Sequence, residues 1–324
     1  MRAVVVKRWM EPGELEVSEI PEPAVAPGTL VVEVRAAGCN FFDILMVQGN
    51  YQVKPPFPFV PGAEVAGVVR EVGEGVSGFA PGDRVFATAG LGGFAEYAVV
   101  PARGAYRMPD GMSFEEGSAL PIIYPTSYAG LVFRADLKPG ENLLVHAAAG
   151  GVGVAAVQIG VALGARVIAT AGGREKLEIA RRNGASETID YREEDFVARV
   201  KELTGGKGAD VIYDPVGGDV FDKSLKCIAW NGRLLVIGFA SGRIPEVKVN
   251  RILLKNIAIV GLHWGAHVAH QPERIDQTLE ALLGLYADGA IKPVIFKSYS
   301  LDEVAVALEA LASRKTYGKV VVAP

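Results

Sequence analysis

The sequence predicts an α/β chain in which a doubly wound parallel sheet is joined to a β-rich, partly barrel-like domain, with a cleft between them. Three observations carry this prediction. The first 120 residues read as short strands separated by Pro/Gly turns, strand–helix alternation runs from about residue 121 to 264, and a glycine turn stands at the first strand-to-helix junction of that alternation. A chain of 324 residues has room for two domains, and half of its residues are apolar, enough for two cores.

In the first part, strand patterns fall at Ala3–Val6, Leu15–Ile20, Leu30–Ala37, Gly67–Val72, Arg84–Phe86 and Ala95–Val100. Turns such as Ala26-Pro27-Gly28, Pro61-Gly62 and Pro81-Gly82-Asp83 separate them, a spacing that suits a small barrel. In the second part, strands are expected at Asn142–His146, Arg166–Thr170, Thr188–Asp190, Val211–Asp214, Gly232–Ile237 and Ile257–Leu262. The helices between them are Gly153–Leu163, Arg174–Asn183, Phe196–Thr204 and Val220–Cys227, several ending at a glycine: Gly164, Gly184 and Gly205. Crossovers of this length suit right-handed βαβ units. The tail reads as a helix at Pro272–Tyr286, a strand at Val294–Tyr299, a helix at Leu301–Ser313 and a strand at Lys319–Val322, and is expected back in the barrel. The domains are therefore 1–120 with 265–324, and 121–264.

Composition narrows the partners. A net charge of −4 leaves no basic footprint for nucleic acid, and no apolar run approaches the length of a membrane span. Cys39 and Cys227 form neither a CxxC pair nor a disulfide framework, which points to a reducing, cytoplasmic setting. The N-terminal Met1–Lys7 reads as a strand and not as a secretion signal.

The central motif is Val145-His146-Ala147-Ala148-Ala149-Gly150-Gly151-Val152-Gly153. Gly150 and Gly151 let a backbone turn approach a pyrophosphate, Gly153 lets the helix close on the strand, and the helix N-terminus presents free N–H groups. Ala149 and Val152 complete the expected contact set. In an NAD site an acid stands about 20 residues further on, against the ribose hydroxyls. Here the strand ends at Ala171, and Gly172, Gly173, Arg174 and Lys176 follow. Small residues with cations suit the 2′-phosphate of NADPH.

On its motifs the chain resembles the zinc-free quinone oxidoreductase (zeta-crystallin-like) branch of the medium-chain dehydrogenase/reductase superfamily. The resemblance spans almost the whole chain and rests on Gly38–Asp43, Pro61–Gly67, Pro81–Val85, Gly93–Tyr97, His146–Gly153, Asp190–Asp195, Asp214–Gly218 and Tyr317–Val321. It implies a Rossmann domain beside a GroES-like domain. The positions of the zinc ligands in zinc-dependent relatives resemble Asn40, Ala63 and Ile122, none a usual ligand, so no metal is expected. His267-x-x-His270 reads as a polar loop.

The resemblance further implies that Asn40 sits at the nicotinamide and Tyr51 lines the substrate pocket, these two being the candidate catalytic residues. Thr126 would contact the ribose or nicotinamide, and Gly172, Lys176 and Tyr191 the 2′-phosphate; Gly238-Phe239 and His263-Trp264 would wrap the nicotinamide half. In relatives, the strand matching Asn256–Gly261 pairs with its copy, so a homodimer is expected. Without zinc to polarise an alcohol, hydride transfer to an electron-poor acceptor is favoured. The leading expectation is an NADPH:quinone reductase. A reductase of enals, enones or enoyl thioesters, and a non-catalytic NADPH-binding protein, are the alternatives.

Overall fold

The computed structural model describes residues 1–324. The opening segment contains β1 (Arg2–Val4), β2 (Val17–Glu19), β3 (Thr29–Cys39), α1 (Phe41–Val47), β4 (Glu64–Val72), β5 (Arg84–Thr88), β6 (Tyr97–Pro101), β7 (Ala105–Arg107) and α2 (Phe114–Ser118). Next come α3 (Ile123–Tyr128) with a π-helical continuation (Ala129–Arg134), β8 (Asn142–Val145), α4 (Gly151–Ala162), β9 (Arg166–Ala171), α5 (Arg174–Arg182), β10 (Glu187–Asp190) and α6 (Phe196–Leu203). Then follow β11 (Ala209–Asp214), α7 (Gly218–Cys227), β12 (Ile228–Val236), α8 (Asn250–Lys255), β13 (Ala258–Gly261), α9 (His267–His270) and α10 (Pro272–Ala287). The chain closes with β14 (Ile295–Ser300), α11 (Val304–Ala312) and β15 (Lys319–Ala323). No helix is long and apolar enough to cross a membrane.

The chain divides into two compact units, Met1–Ile122 with Pro293–Pro324, and Ile123–Lys292. The first is built on the sheet order β14-β15-β3-β4-β5-β7, with β6 also paired to β3 and a β1–β2 ribbon beside it. Long β3 bends through register shifts in its pairing with β4, and so pairs with β4, β6 and β15 along its length. Such irregularities curve a sheet toward a barrel.

The second unit has the order β10-β9-β8-β11-β12-β13, every pair parallel. Five consecutive residues of β9 are buried, with no alternation, because helices cover both faces. α4 lies close on β8: a Cβ on Gly160 would stand 2.5 Å from Leu143 Cδ2.

The return to the first unit falls at residue 293 and not at 265. The helix expected with the barrel, α10, instead packs on α3 with Leu279 and Leu282 buried. Gln158 of α4 fastens the following segment: its Nε2 donates to Lys292 O at 2.8 Å, and its Oε1 accepts from Lys292 N at 3.1 Å.

Candidate functional site

In the second unit the strand order reverses between β8 and β11, the place where a doubly wound sheet takes its ligand. The glycine turn follows β8 there. Ala147 holds a left-handed φ of 49°, uncommon for a residue with a Cβ, and Gly150 N donates to Ala147 O at 2.8 Å. A Cβ on Gly153 would stand 2.2 Å from Ala147 O, so no other residue fits without moving the backbone. Gly151, Val152 and Gly153 make no backbone hydrogen bond through their N–H groups. These donors open α4, where the helix dipole favours an anion. Ser127 of α3 steadies the turn, its hydroxyl 3.0 Å from Val152 O and 2.9 Å from the Tyr213 hydroxyl. The expected Thr126 is the preceding residue, half-buried on α3.

At the end of β9, Ala171 pairs with Asp190 of β10. This register carries Tyr191 and Arg192 over the turn that follows β9. A Cβ on Gly172 would lie 2.7 Å from the Tyr191 hydroxyl and 2.8 Å from Arg192 Nε, and one on Gly173 would lie 3.4 Å from an Arg192 terminal nitrogen. The expected Gly172 and Tyr191 therefore meet, and Arg192, which the sequence reading missed, joins them. Arg174 is exposed at the start of α5 and Lys176 half-buried one turn along it. A carboxylate also reaches this corner from the neighbouring strand. Asp190 Oδ2 accepts from Gly173 N at 3.0 Å and Oδ1 from Arg192 N at 3.0 Å, so both oxygens hold backbone.

Beside this corner lies a cavity of about 300 Å³, lined by Tyr191, His146, Thr170, Phe196, Val220 and Lys223 among others. His146 was read only as part of the glycine motif. Its Nδ1 is 2.9 Å from Thr170 Oγ1 and its Nε2 is 2.8 Å from Ser224 Oγ, which donates to Val220 O at 2.7 Å. With Ser224's hydrogen used on Val220, the imidazole donates from Nε2 and accepts at Nδ1. Burial lowers its pKa to about 3, so it stays neutral and ties β8 to β9 and α7. At the far strand ends, Gly238 and Phe239 follow β12 against the Pro215–Gly217 turn. After β13, His263 is exposed and Trp264 half-buried, its ring 4.9 Å from that of His267.

The first unit holds a buried polar centre. Lys319 Nζ lies 2.5 Å from Glu64 Oε1 and donates to Asn40 Oδ1 at 2.6 Å; Asn40 Nδ2 donates to Glu64 Oε1 at 2.8 Å. The other Glu64 oxygen accepts from Ile122 N at 3.0 Å. Asn40 also begins α1, where its N–H donates to Asp43 Oδ2 at 2.7 Å, half of a capping box. Asp43 Oδ1 is buried without a partner. Burial raises Asp43 to about 7, against the Asn40 N–H that holds it down. Burial also raises Glu64, opposed by the Lys319 ammonium. Tyr51 is half-buried with its ring stacked on Phe42 at 5.4 Å, and burial and Asp43 raise its hydroxyl above the ordinary range. No group of three or more His, Cys, Asp or Glu side chains gathers as a metal site needs.

Residues 26–110 match the alcohol dehydrogenase GroES-like domain, and residues 151–284 match the family described as zinc-binding dehydrogenase. The chain is 46% identical over 294 residues to quinone oxidoreductase-like protein 2 homolog of Nematostella vectensis, covering 90% of this chain and 80% of that one. The chain belongs to the quinone oxidoreductase branch of the medium-chain dehydrogenase/reductase family. Members of this branch are oxidoreductases on nicotinamide cofactors. The Escherichia coli quinone oxidoreductase, solved in complex with NADPH, superposes with a TM-score of 0.92 at 34% identity, covering all of both chains. A structure described as an NAD-dependent alcohol dehydrogenase superposes nearly as well, with a TM-score of 0.89 at 33% identity over all of both chains. The α/β architecture, a parallel Rossmann sheet with a separate GroES-like domain, is that of the family.

Proposed function

We propose that the chain is an NADPH-dependent quinone reductase that works without zinc. The observation that carries this reading is the corner at Gly172, where Arg192 and Tyr191 stand over bare backbone while both oxygens of Asp190 are engaged. A bound nicotinamide cofactor supplies a hydride to an electron-poor acceptor. The N–H groups of Gly151, Val152 and Gly153, beside Ala149 and Gly150, hold its pyrophosphate. Gly172, Lys176, Tyr191 and Arg192 hold the 2′-phosphate, with Arg174 adding charge nearby. The cavity at His146 takes the adenosine end. Thr126, Gly238, Phe239, His263 and Trp264 line the nicotinamide half.

Tyr51 keeps its phenolic proton at neutral pH, which suits a donor to the acceptor's oxygen. Asn40 has both ends of its amide held by Lys319 and Glu64, so its part is to fix the start of α1. Zinc independence is supported by the same centre: Asn40, Ala63 and Ile122 are poor ligands, and the Lys319 ammonium already balances Glu64. Cys39 and Cys227, both buried and unpaired, support the cytoplasmic setting.

The exposed edge strand β13 pairs only with β12, and Ile244, Val249, Leu253 and Leu254 of the same unit are exposed. These features support a homodimer formed by pairing of β13 with its copy.

Steady-state NADPH oxidation with 1,2- and 1,4-quinones, set against 2-alkenals and enoyl thioesters, tests the reading. Quinones should have the higher kcat/KM. Turnover of alkenes alone would replace the acceptor in favour of the double-bond reductase. Tight NADPH binding with no turnover of any acceptor would favour a binding protein.

A further inference from the structure

In the second unit, α6, α7 and α8 all end around a second pocket of about 320 Å³. Lys201, Lys207, Lys226 and Lys255 line it together with Trp230 and Cys227, and no acidic residue does. Lys226 is shared with the first cavity, where Glu194, Asp195 and Asp219 stand, which leaves Lys201, Lys207 and Lys255 without a counter-charge in a chain with an excess of acids, 37 against 33 basic residues. Carboxylates on the neighbouring elements are committed elsewhere. Glu202 and Glu194 pair with Arg199 at 2.7 and 3.9 Å, Asp222 pairs with Arg243 at 2.5 Å, and Asp210 accepts from Asn142 at 2.8 Å.

Cations at helix C-termini are ordinary, because they meet free carbonyls. Lys255 does so: its Nζ donates to Leu225 O at 2.9 Å, closing α7. The arithmetic leaves charge over. Each helix C-terminus is worth about −0.5, so three amount to roughly −1.5 against the three unshared lysines and whatever part of Lys226 faces this side. At least about +1.5 remains facing the pocket. The loop N–H groups contribute nothing further, since Gly206 N and Gly208 N are used on Lys201 O and Thr204 Oγ1. The floor is closely packed: a Cβ on Gly208 would stand 2.4 Å from Cys227 O. Trp230, 66% exposed, offers its ring on the wall.

We infer that this pocket binds a polyphosphate group, at a site separate from the glycine turn. A multivalent phosphate matches the surplus charge where a monovalent anion does not. The carrier of that phosphate is either a nucleotide, whose base would lie on Trp230, or inorganic polyphosphate.

The test is titration of the full-length chain with inorganic tripolyphosphate, followed by calorimetry and tryptophan fluorescence. One saturable site is expected, weakened roughly tenfold or more in Lys201→Gln/Lys207→Gln, while NADPH oxidation by that variant is unchanged. The affinity should be unaltered in Lys176→Gln/Arg192→Gln, which disables the dinucleotide corner instead. Absence of saturable binding, equal affinity in the lysine variant, or loss in the dinucleotide-corner variant would each overturn the inference. In the Lys176→Gln/Arg192→Gln background, ATP binding more tightly than tripolyphosphate, with the gain lost in Trp230→Ala, supports the site with a nucleotide as carrier. Equal binding of the two supports it with inorganic polyphosphate.

Discussion

Arg192 shows how much a single side chain owes to strand register. In the sequence it follows Tyr191 as one more surface charge before two glutamates. Only the pairing of Asp190 with Ala171 places it over Gly172, so no local signal distinguishes it from its neighbours. Arg174, which stands out in the sequence, is exposed at the start of α5. Replacing Arg192 with Gln should reduce the preference for NADPH over NADH by about 10- to 100-fold, the effect of losing a charge-assisted hydrogen bond of about 1.5–3 kcal/mol. Dissociation constants for both cofactors measure it, and an equal loss for the two would remove Arg192 from the phosphate corner.

Asp43 belongs to the same scale. Its folded pKa of about 7 lies above the ordinary 3.8, so the native state holds a proton that the unfolded chain has released. Its stabilising effect is complete below the ordinary value and lost as the pH rises through 7. Between pH 5 and 8 the native state should lose on the order of 2–3 kcal/mol from this group. In Asp43→Asn, urea midpoints at the two pH values should converge; an undiminished pH slope would place the effect elsewhere.

At the scale of elements, the glycine turn and α4 were legible because close approach leaves few chemical options. A strand of buried apolar residues, a turn and a helix of small residues describe one geometry, and Gly153 is where it is tightest. Gly153→Ala forces a Cβ onto Ala147 O and should destabilise the fold by about 1–3 kcal/mol while abolishing NADPH binding. Thermal unfolding and a fluorescence titration read the two effects, and wild-type binding in the variant would contradict the assignment of the turn. α1 was missed because Phe41–Val47 is short and nearly apolar throughout, with no helical stripe. Its sequence signal is the capping pair of Asn40 with Asp43, which marks a helix start without fixing the helix's length. His146 was equally hard to place, since its two partners, Thr170 and Ser224, lie 24 and 78 residues away.

At the scale of the molecule, alternation of strands and helices located the Rossmann sheet but not the point of return. α10 has no sequence mark of the unit it joins; its packing on α3 decides that. Edge strand β13 supports assembly. Leu253 and Leu254 are 78% and 69% exposed, so Leu253→Glu/Leu254→Glu should leave the single chain folded and abolish the proposed pairing of β13 with its copy. Sedimentation equilibrium should then give half the wild-type mass, whereas an intact dimer would exclude this surface.

The Lys319–Asn40–Glu64 centre sets an order of events during synthesis. Lys319 and Asn40 are 279 residues apart, so at about 5–20 residues per second the ribosome takes roughly 14–56 s to deliver the cation that Asn40 and Glu64 await. Throughout that interval Glu64 has no internal counter-charge, and burying it alone would be strongly unfavourable. The second unit, continuous from Ile123 to Lys292, is complete before Lys319 is made. The opening barrel therefore cannot close over a paired Glu64 until its final strand has been made, with one lysine as the latch.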